Sequence, residues 1–210
     1  SAGTTRIDLY HQEYLSDTRE KIAAEKAAII REGSRVILSH QKPSIERVLL
    51  GRCREVGVEP VWASADIRLT DEPAIAPVLF GSITTERAHY GFLELWNMRG
   101  RHQFENAAVA IGIAEMLAEL GFKISTDQIS SGVENASHPG RLEEVAPNFL
   151  LDGAHNPAGA AALADFLDEF YANRPKTIVF GAMKEMAVAQ IANILWPKAD
   201  RVIVTQPSNS

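Results

Sequence analysis

The feature that most constrains the fold is a turn between an apolar run and an alanine-rich stretch. Residues 152–157 read Asp-Gly-Ala-His-Asn-Pro; they follow the apolar run at 148–151 and precede the alanine-rich residues 158–164. A strand that ends at Asp-Gly and turns into a helix displays polar groups at the carboxyl edge of an α/β sheet. We therefore predict a strand, a turn and a helix, with Asn156 as the N-cap and Pro157 in the first helical position.

Two side chains of this turn are candidates for chemistry. A helix N-terminus favours anions and a carboxylate favours cations, so Asp152 and His155 are suited to meet a nucleotide or a metal ion. The alternative is an ordinary helix cap with a partly exposed histidine. The spacing of so short a motif does not decide between the two.

Composition excludes several classes of protein. The 210 residues are 46% hydrophobic and 23% charged, which is typical of globular chains. A net charge of −6 argues against a nucleic-acid binder, and no apolar run approaches membrane-spanning length. The single cysteine, Cys53, has no partner for an internal disulfide, which fits a reducing cytoplasm. We expect a cytoplasmic monomer that binds small molecules and neither nucleic acid nor membrane.

The first part of the chain alternates between strand and helix patterns, which predicts a parallel α/β sheet. Apolar residues at helical spacing favour a helix from Thr18 to Gly33, with Ile22, Ala23, Lys26, Ala27 and Ile30 on one face. The other predicted elements are the tail of a strand at 7–9, a strand at 35–39, a helix at 43–56 and a strand at 60–63. Proline, glycine and short β-prone pieces at 64–100 predict antiparallel strands.

The second half contains two long helical patterns and a boundary. Residues 106–120 predict a helix that buries Ala110, Ile113, Ala114 and Leu117, and a shorter helix is predicted at 126–133. The proline and glycine at 136–140 mark a domain boundary, giving domains at 1–136 and 137–210. Beyond it we predict strands at 148–151, 177–180 and 201–204 and helices at 157–171 and 188–195. Three strands are few for a Rossmann-like domain, so we expect this domain to be incomplete.

Four blocks, in order, resemble segments of the folylpolyglutamate synthase/dihydrofolate synthase family, a branch of the Mur ligases. The hexapeptide at 152–157 resembles the family's C-terminal-domain motif. Residues 99–107 (Arg-Gly-Arg-His-Gln-Phe-Glu-Asn-Ala) resemble its Gly-x-His-Gln-x-x-Asn-Ala segment, and residues 138–143 (His-Pro-Gly-Arg-Leu-Glu) its Pro-Gly-Arg segment. Residues 11–29 resemble the region of His-x-x-x-Leu-Gly and Glu-Lys-Ala-Gly-Ile. The resemblance runs almost end to end.

This resemblance implies an α/β fold in two parts. The first is the C-terminal part of a P-loop-type central Mur ligase domain, and the second is a truncated Rossmann-like C-terminal Mur ligase domain. It also implies a Mg²⁺ site, because in the family the residue matching His11 binds Mg²⁺ and the lysine matching Lys26 is carbamylated near the metal. A carbamate makes chemical sense there, since Mg²⁺ prefers oxygen ligands and a bare ammonium would repel it. From the residues alone, His11 is a hydrogen-bonded or surface histidine and Lys26 a solvated lysine.

The resemblance implies a nucleotide site as well. In the family the residue matching Asn106 contacts ATP, that matching Arg141 reaches the ATP phosphates, and that matching Asp152 is a nucleotide contact, with His155 close to the same pocket. Without the resemblance, Asn106 is a helix N-cap and Arg141 forms a surface ion pair with Glu143 or Glu144. The candidate catalytic residues are Lys26, Arg141 and His155.

The implied reaction is an ATP-driven amide ligation in folate metabolism, with ATP and Mg²⁺ as cofactors. A pterin-linked carboxylate, of dihydropteroate or of a folate, attacks the γ-phosphate of ATP and gives an acyl phosphate and ADP. The amine of L-glutamate then displaces phosphate. Such phosphoryl transfer depends on positioning and on neutralising the developing charge.

One expected part is missing from these residues. No Gly-x-x-x-x-Gly-Lys-[Ser/Thr] occurs in the sequence, although that loop cradles the phosphates in P-loop enzymes. We therefore expect the chain to be a piece of a longer enzyme that does not turn over alone. Two alternatives stay open, namely another Mur-type peptide ligase and a non-catalytic paralogue that binds nucleotide.

Overall fold

The described part of the molecule consists of two compact units. A computed structural model describes residues 2–5, 7, 19–63, 66–70, 77–182 and 187–206. The chain passes from the first unit to the second between His138 and Pro139. None of the described helices is long and apolar enough to cross a membrane.

The first unit contains a three-stranded parallel sheet. Its strands are β1 (Ala2–Thr4), β2 (Val36–Leu38) and β3 (Pro60–Trp62), in the order β1-β2-β3. Helices α1 (Arg19–Ala27) and α2 (Pro43–Glu55) belong to the same unit. The core is built from aliphatic side chains that are completely buried: Ile22, Ile30, Leu38, Ile45 and Leu49. The predicted parallel α/β pattern is therefore confirmed.

Two details of this region differ from the prediction. The first described strand is β1, which lies before the predicted strand tail at 7–9. Of those three residues only Ile7 is described; it lies outside any strand and donates its N–H to Gln41 Oε1 at 2.8 Å. Helix α1 ends at Ala27, six residues before Gly33. The next turns are closed by hydrogen bonds that span only three residues, from Ala28 N–H to the Glu25 carbonyl oxygen and from Ile30 N–H to the Ala27 carbonyl oxygen. Its predicted start, Thr18, lies outside the described residues.

Lys26 does not share the buried face of α1, contrary to the prediction. Ile22, Ala23 and Ala27 are buried, whereas Lys26 is exposed. The long side chain carries its ammonium into solvent, where the charge is hydrated. The apolar periodicity predicted the buried face correctly, except that it placed the charged Lys26 on it.

A three-stranded antiparallel sheet follows, as predicted. Its strands are β4 (Asp66–Leu69), β5 (Leu79–Thr84) and β6 (His89–Leu95), in the order β4-β5-β6. The register shifts between Gly81 and Ile83, and Phe92 on β6 has a φ of +58°. A Cβ on Gly81 would lie 2.7 Å from the Arg68 carbonyl oxygen, so this position requires a glycine.

Helix α3 (His102–Glu119) begins four residues earlier than predicted and buries a different face. Ala110 is exposed, and the other three predicted positions are half-buried. The buried positions are Gln103, Phe104, Ala107, Ala108, Val109, Ile111, Gly112, Glu115 and Met116. The helix is apolar on most sides, so its periodicity does not select one stripe, and packing against the sheet decides instead.

Helix α3 also brings a buried carboxylate to the β5–β6 hairpin. Glu115 is 9% exposed, and its Oε1 accepts hydrogen bonds from Tyr90 Oη at 3.0 Å and Thr85 Oγ1 at 2.7 Å. Burial, followed by the hydrogen bond to Glu115 and that carboxylate's charge, raises the pKa of the Tyr90 hydroxyl above its ordinary value. The hydroxyl therefore stays protonated where an exposed tyrosine ionises.

This pKa shift gives a testable pH dependence. Above about pH 10, the ordinary pKa of tyrosine, the unfolded chain releases the Tyr90 proton while the folded chain retains it. The folded state then binds more protons, so the free energy of unfolding falls as the pH rises. The free energy of unfolding of wild type and of Tyr90→Phe is measured with urea at pH 7, 9 and 10.5. Wild type should be more stable by about 1 kcal/mol at pH 7, and this difference should shrink at pH 10.5. A constant difference would contradict the assignment.

The first unit ends with helix α4 (Thr126–Glu134), close to the predicted 126–133. Its N-cap is Ser125, whose hydroxyl accepts from Gln128 N–H while the Gln128 side chain accepts from Ser125 N–H. The buried residues are Ile129 and Val133. Cys53, on α2, is buried and is not disulfide-bonded, as expected of a small apolar residue on a helix.

The described residues of the second unit form two pairs of strands and two helices. Strands β7 (Glu143–Ala146) and β8 (Phe149–Leu151) form an antiparallel hairpin, and β9 (Thr177–Gly181) pairs in parallel with β10 (Arg201–Thr205). Helix α5 (Pro157–Tyr171) lies between β8 and β9 in the chain. Helix α6 (Val188–Leu195) lies between β9 and β10 and is followed by a 3₁₀ turn at Trp196–Lys198. The two helices share a core with the β9 side chains: Ala160, Ala164, Ile191, Leu195, Ile178 and Phe180.

The predicted elements of this unit are all present, and one further strand, β7, pairs with β8. The hydrogen-bonded partner of β8 in the described residues is β7. This strand was not predicted, because it has only four residues and most of them are exposed. Asn148 has a φ of +65° and sits in the turn between the two strands. Asparagine tolerates the left-handed conformation that such a turn needs.

Candidate functional site

The structure tests the predicted metal site only in part. His11 lies outside the described residues. Lys26 is exposed on α1, so its amine is open to solvent and to modification. Within the residues described, no group of three histidine, cysteine, aspartate or glutamate side chains could hold a metal ion. The Mg²⁺ site at His11 and Lys26 therefore stays a prediction.

The structure brings two of the sequence motifs together in the second unit. The turn at 140–142 and the turn at 152–154 are joined by two hydrogen bonds. Gly153 N–H donates to the Gly140 carbonyl oxygen at 2.7 Å, and Leu142 N–H donates to Asp152 Oδ2 at 2.9 Å. The β7–β8 pairing, which aligns Glu143 with Leu151, continues the same contact. Arg141 and Asp152 are thereby held on neighbouring turns.

Asp152 acts as an acceptor for both turns. Its Oδ1 accepts from Ala154 N–H at 2.8 Å, inside its own turn, while Oδ2 accepts from Leu142 across the hairpin. The carboxylate is half-buried. A charged acceptor makes stronger hydrogen bonds than a neutral one. Asp152 therefore fixes the relative position of the two turns, a role that its spacing in the sequence did not predict.

The backbone on each side of Arg141 is left-handed. Gly140 has a φ of +72°, and Leu142, which is 3% exposed, has a φ of +47°. A buried leucine in this conformation costs free energy and persists only where its surroundings hold it. Glu143 Oε2 accepts from Gly140 N–H at 2.7 Å. Among the described residues, Glu143 forms no ion pair with Arg141. Glu143 is therefore not the partner in the alternative interpretation, in which Arg141 forms a surface ion pair.

The start of α5 agrees with the prediction. Asn156 is the N-cap, and its Oδ1 accepts from Gly159 N–H at 2.8 Å, with Pro157 in the first helical turn. His155 Nδ1 lies 2.6 Å from the Gly153 carbonyl oxygen, to which the ring nitrogen donates. The ring of His155 is half-buried and is oriented by its own turn.

The cap gives a prediction for stability. Asn156→Ala removes the acceptor of Gly159 N–H and should lower the free energy of unfolding of the second unit by about 1 kcal/mol. Asn156→Ser keeps an acceptor at the same position and should cost much less. Chemical denaturation followed by an α5-specific amide signal measures both. Equal losses in the two variants would contradict a capping role.

Asn106 lies inside α3 and not at its start, so the N-cap alternative is wrong. The N-cap position is Arg101, which makes no side-chain cap bond. Asn106 Nδ2 donates to Gln103 Oε1 at 2.9 Å, and both side chains line an apolar cavity of about 430 Å³ between α3, α4 and the end of β6. Cavities of this size with a few polar groups are typical of small-molecule sites.

A second cavity of about 300 Å³ lies in the second unit. Its lining includes Asp152, Ala154, Arg174, Lys176 and the whole of β9. Lys176 Nζ donates to carbonyl oxygens at the end of α5, including Tyr171 at 2.8 Å. This lysine therefore caps the helix. Asp152 is the one predicted site residue among the described residues of the lining.

Comparison with known proteins gives matches to one family. Residues 140–210 match the family model for the Mur ligase glutamate ligase domain. The chain is 33% identical over 185 residues to the dihydrofolate synthase/folylpolyglutamate synthase of Bacillus subtilis, covering 86% of this chain and 43% of that protein. The chain is therefore similar to the folylpolyglutamate synthase/dihydrofolate synthase family of Mur ligases, which is the family that the sequence motifs resemble.

Other proteins of this family match over almost the whole chain. Dihydrofolate synthetase of Saccharomyces cerevisiae is 29% identical, with 99% of this chain and 49% of that protein covered. The structure of Mycobacterium tuberculosis folylpolyglutamate synthase in complex with ADP and AMPPCP aligns with a TM-score of 0.79 at 27% identity, covering 99% of this chain and 48% of that one. The chain spans about half the length of the curated relatives it matches.

Proposed function

We propose that this chain is a member of the folylpolyglutamate synthase/dihydrofolate synthase family and part of an ATP-dependent ligase that joins L-glutamate to dihydropteroate or to a folate. The observation that carries the proposal is the joined pair of turns around Arg141 and Asp152, at the start of the residues that match the glutamate ligase model. The names of the relatives supply the substrate class. The solved relative that binds ADP and AMPPCP supports ATP.

We also propose the division of the chain into two Mur ligase domains. Residues 1–136 would be the end of the central ATPase-type domain, and residues 137–210 an incomplete glutamate ligase domain. The passage between compact units at His138 and the family match from residue 140 support this division.

The proposed roles follow from the chemistry of each side chain. The Arg141 guanidinium, on a turn fixed on both sides, is suited to pair in two places with phosphate oxygens. Asp152 and the neighbouring His155 would contact the nucleotide. The Asn106 amide, in the lining of an apolar cavity, presents donor and acceptor groups that suit the edge of an adenine. Arg141 would neutralise charge that develops when a substrate carboxylate attacks the γ-phosphate.

Mg²⁺ would be held by His11 and by Lys26 once its amine is carbamylated. Mg²⁺ prefers oxygen ligands, which a carbamate supplies and an ammonium does not. The exposure of Lys26 leaves its amine accessible to carbon dioxide. The bound ion would add positive charge beside the phosphates. Mass spectrometry of the native protein in bicarbonate buffer would test the modification, with Lys26→Arg as the variant that must lack it.

Nucleotide binding tests the proposal directly. We expect the chain to bind ADP, and Arg141→Met to weaken that binding about tenfold or more, because a charge-assisted phosphate contact is lost. Arg47→Met, which removes an exposed arginine of α2, is the matched control and should bind like wild type. Equal affinities for wild type and Arg141→Met would reject the proposed role of Arg141.

The acceptor class needs a separate measurement. Ligands that bind the folded state raise the unfolding temperature. The proposal expects dihydropteroate to stabilise the protein as isolated from cells and a muramyl nucleotide to leave it unchanged. The reverse result would move the assignment to a cell-wall peptide ligase.

A further inference from the structure

We propose that Glu143 is a positioning residue for Arg141, because its carboxylate holds the turn that carries the guanidinium. The inference rests on the proposed function, since it takes Arg141 to bind phosphate. Glu143 stands at the first position of β7, two residues after Arg141. Its Oε2 accepts from Gly140 N–H at 2.7 Å, which closes the turn around the arginine.

Two carboxylates hold this turn from its two sides. Glu143 fixes the amide of Gly140, just before Arg141, and Asp152 fixes the amide of Leu142, just after it, at 2.9 Å. Both fixed residues are left-handed, with φ of +72° and +47°. Without these acceptors the strained backbone at Leu142 would relax toward a common conformation. The direction of the Arg141 side chain would change with it.

The cost of this arrangement supports a positioning role. A carboxylate two residues from a phosphate-binding guanidinium repels the phosphate and weakens its binding. An amide oxygen could accept the same hydrogen bond without that repulsion. The benefit of Glu143 therefore comes from the hydrogen bond itself, in which its carboxylate oxygen holds the Gly140 N–H. Geometry and charge act in opposite directions here, so substitutions can separate them.

The experiment compares Glu143→Ala with Glu143→Gln. Alanine removes the acceptor, whereas glutamine keeps an acceptor oxygen and removes the charge. ADP and adenosine are titrated separately into the ¹⁵N-labelled chain, and affinities are read from amide shifts. Glu144→Ala, which removes an equal charge from the next residue, is the control. The exchange rate of the Gly140 amide is measured in each variant without ligand.

We expect Glu143→Ala to bind ADP about fivefold more weakly, the effect of losing one hydrogen bond, and to bind adenosine as wild type does. Glu143→Gln should bind ADP at least as tightly as wild type, and Glu144→Ala should match wild type. The Gly140 amide should exchange faster in Glu143→Ala only.

Three results would overturn the inference. One is an unchanged ADP affinity and unchanged Gly140 exchange in Glu143→Ala. Another is an equal loss in Glu143→Gln, which would assign the effect to charge. The last is an equal loss of ADP and adenosine, which would indicate general destabilisation. No response of wild type to ADP would instead reject the proposed function, and Gly140 exchange would still decide whether Glu143 holds the turn.

Discussion

Replacing Gly112 by alanine is expected to lower the free energy of unfolding of the first unit by about 1–3 kcal/mol, the usual cost of overpacking a core. A Cβ at position 112 would lie 2.0 Å from Ile37 Cδ1 and 3.4 Å from its Cγ1. Ile37 is 3% exposed and belongs to a buried cluster with Val109 and Met116. Its side chain has little room to withdraw, so helix α3 and strand β2 would have to separate.

Two variants make this prediction specific. Gly51, on α2, has no atom within 4 Å of its Cβ position, so Gly51→Ala should gain up to about 1 kcal/mol from helix propensity alone. Ile37→Val removes the atom that clashes, and the double variant Gly112→Ala with Ile37→Val should recover most of the loss. Urea unfolding measures all of them. A gain in both glycine variants would show that α3 and β2 do not approach as described.

Local patterns predicted most elements of this fold because their periodicity was strong. Helices α2 and α5 begin at their predicted prolines, and the strands of both α/β regions, apart from β1, lie close to their predicted positions. Strand β7 was not predicted because its four residues are mostly exposed and show no alternation of apolar and polar side chains. The pairing of β8 could not be predicted because long-range contacts decide it. The prediction of the buried face of α3 was wrong for the same reason, because packing against the sheet decides which side of this helix is buried.

The residues of the candidate site could be predicted from the sequence, whereas the hydrogen bonds that join its two turns could not. The motifs identified Arg141 and Asp152, and the cap at Asn156 followed from local rules. The hydrogen bond from Leu142 to Asp152 joins residues ten positions apart, and no local pattern predicts such a contact. The left-handed Leu142 gives no sequence signal either, because leucine rarely adopts that conformation. Glu143 was visible in the sequence only as a possible surface partner.

Asp152→Ala is expected to lower the free energy of unfolding of the second unit by about 3 kcal/mol, since it removes two hydrogen bonds to a charged acceptor. The amides of Leu142 and Ala154 both lose their partner. Leu142 is 3% exposed, so water cannot readily replace the carboxylate there. The left-handed backbone at Leu142 would lose its support at the same time.

Partial variants test whether the loss comes from these two bonds. Asp152→Asn keeps one acceptor oxygen and should lose about half as much, because it can serve only one of the two amides. Asp165→Ala, which removes an exposed carboxylate of α5, should change the stability little. Hydrogen exchange locates the effect, since the Leu142 and Ala154 amides should lose the most protection at low denaturant. If Asp152→Asn costs as much as Asp152→Ala, charge and not hydrogen bonding joins the two turns, and the positioning of Arg141 would need another explanation.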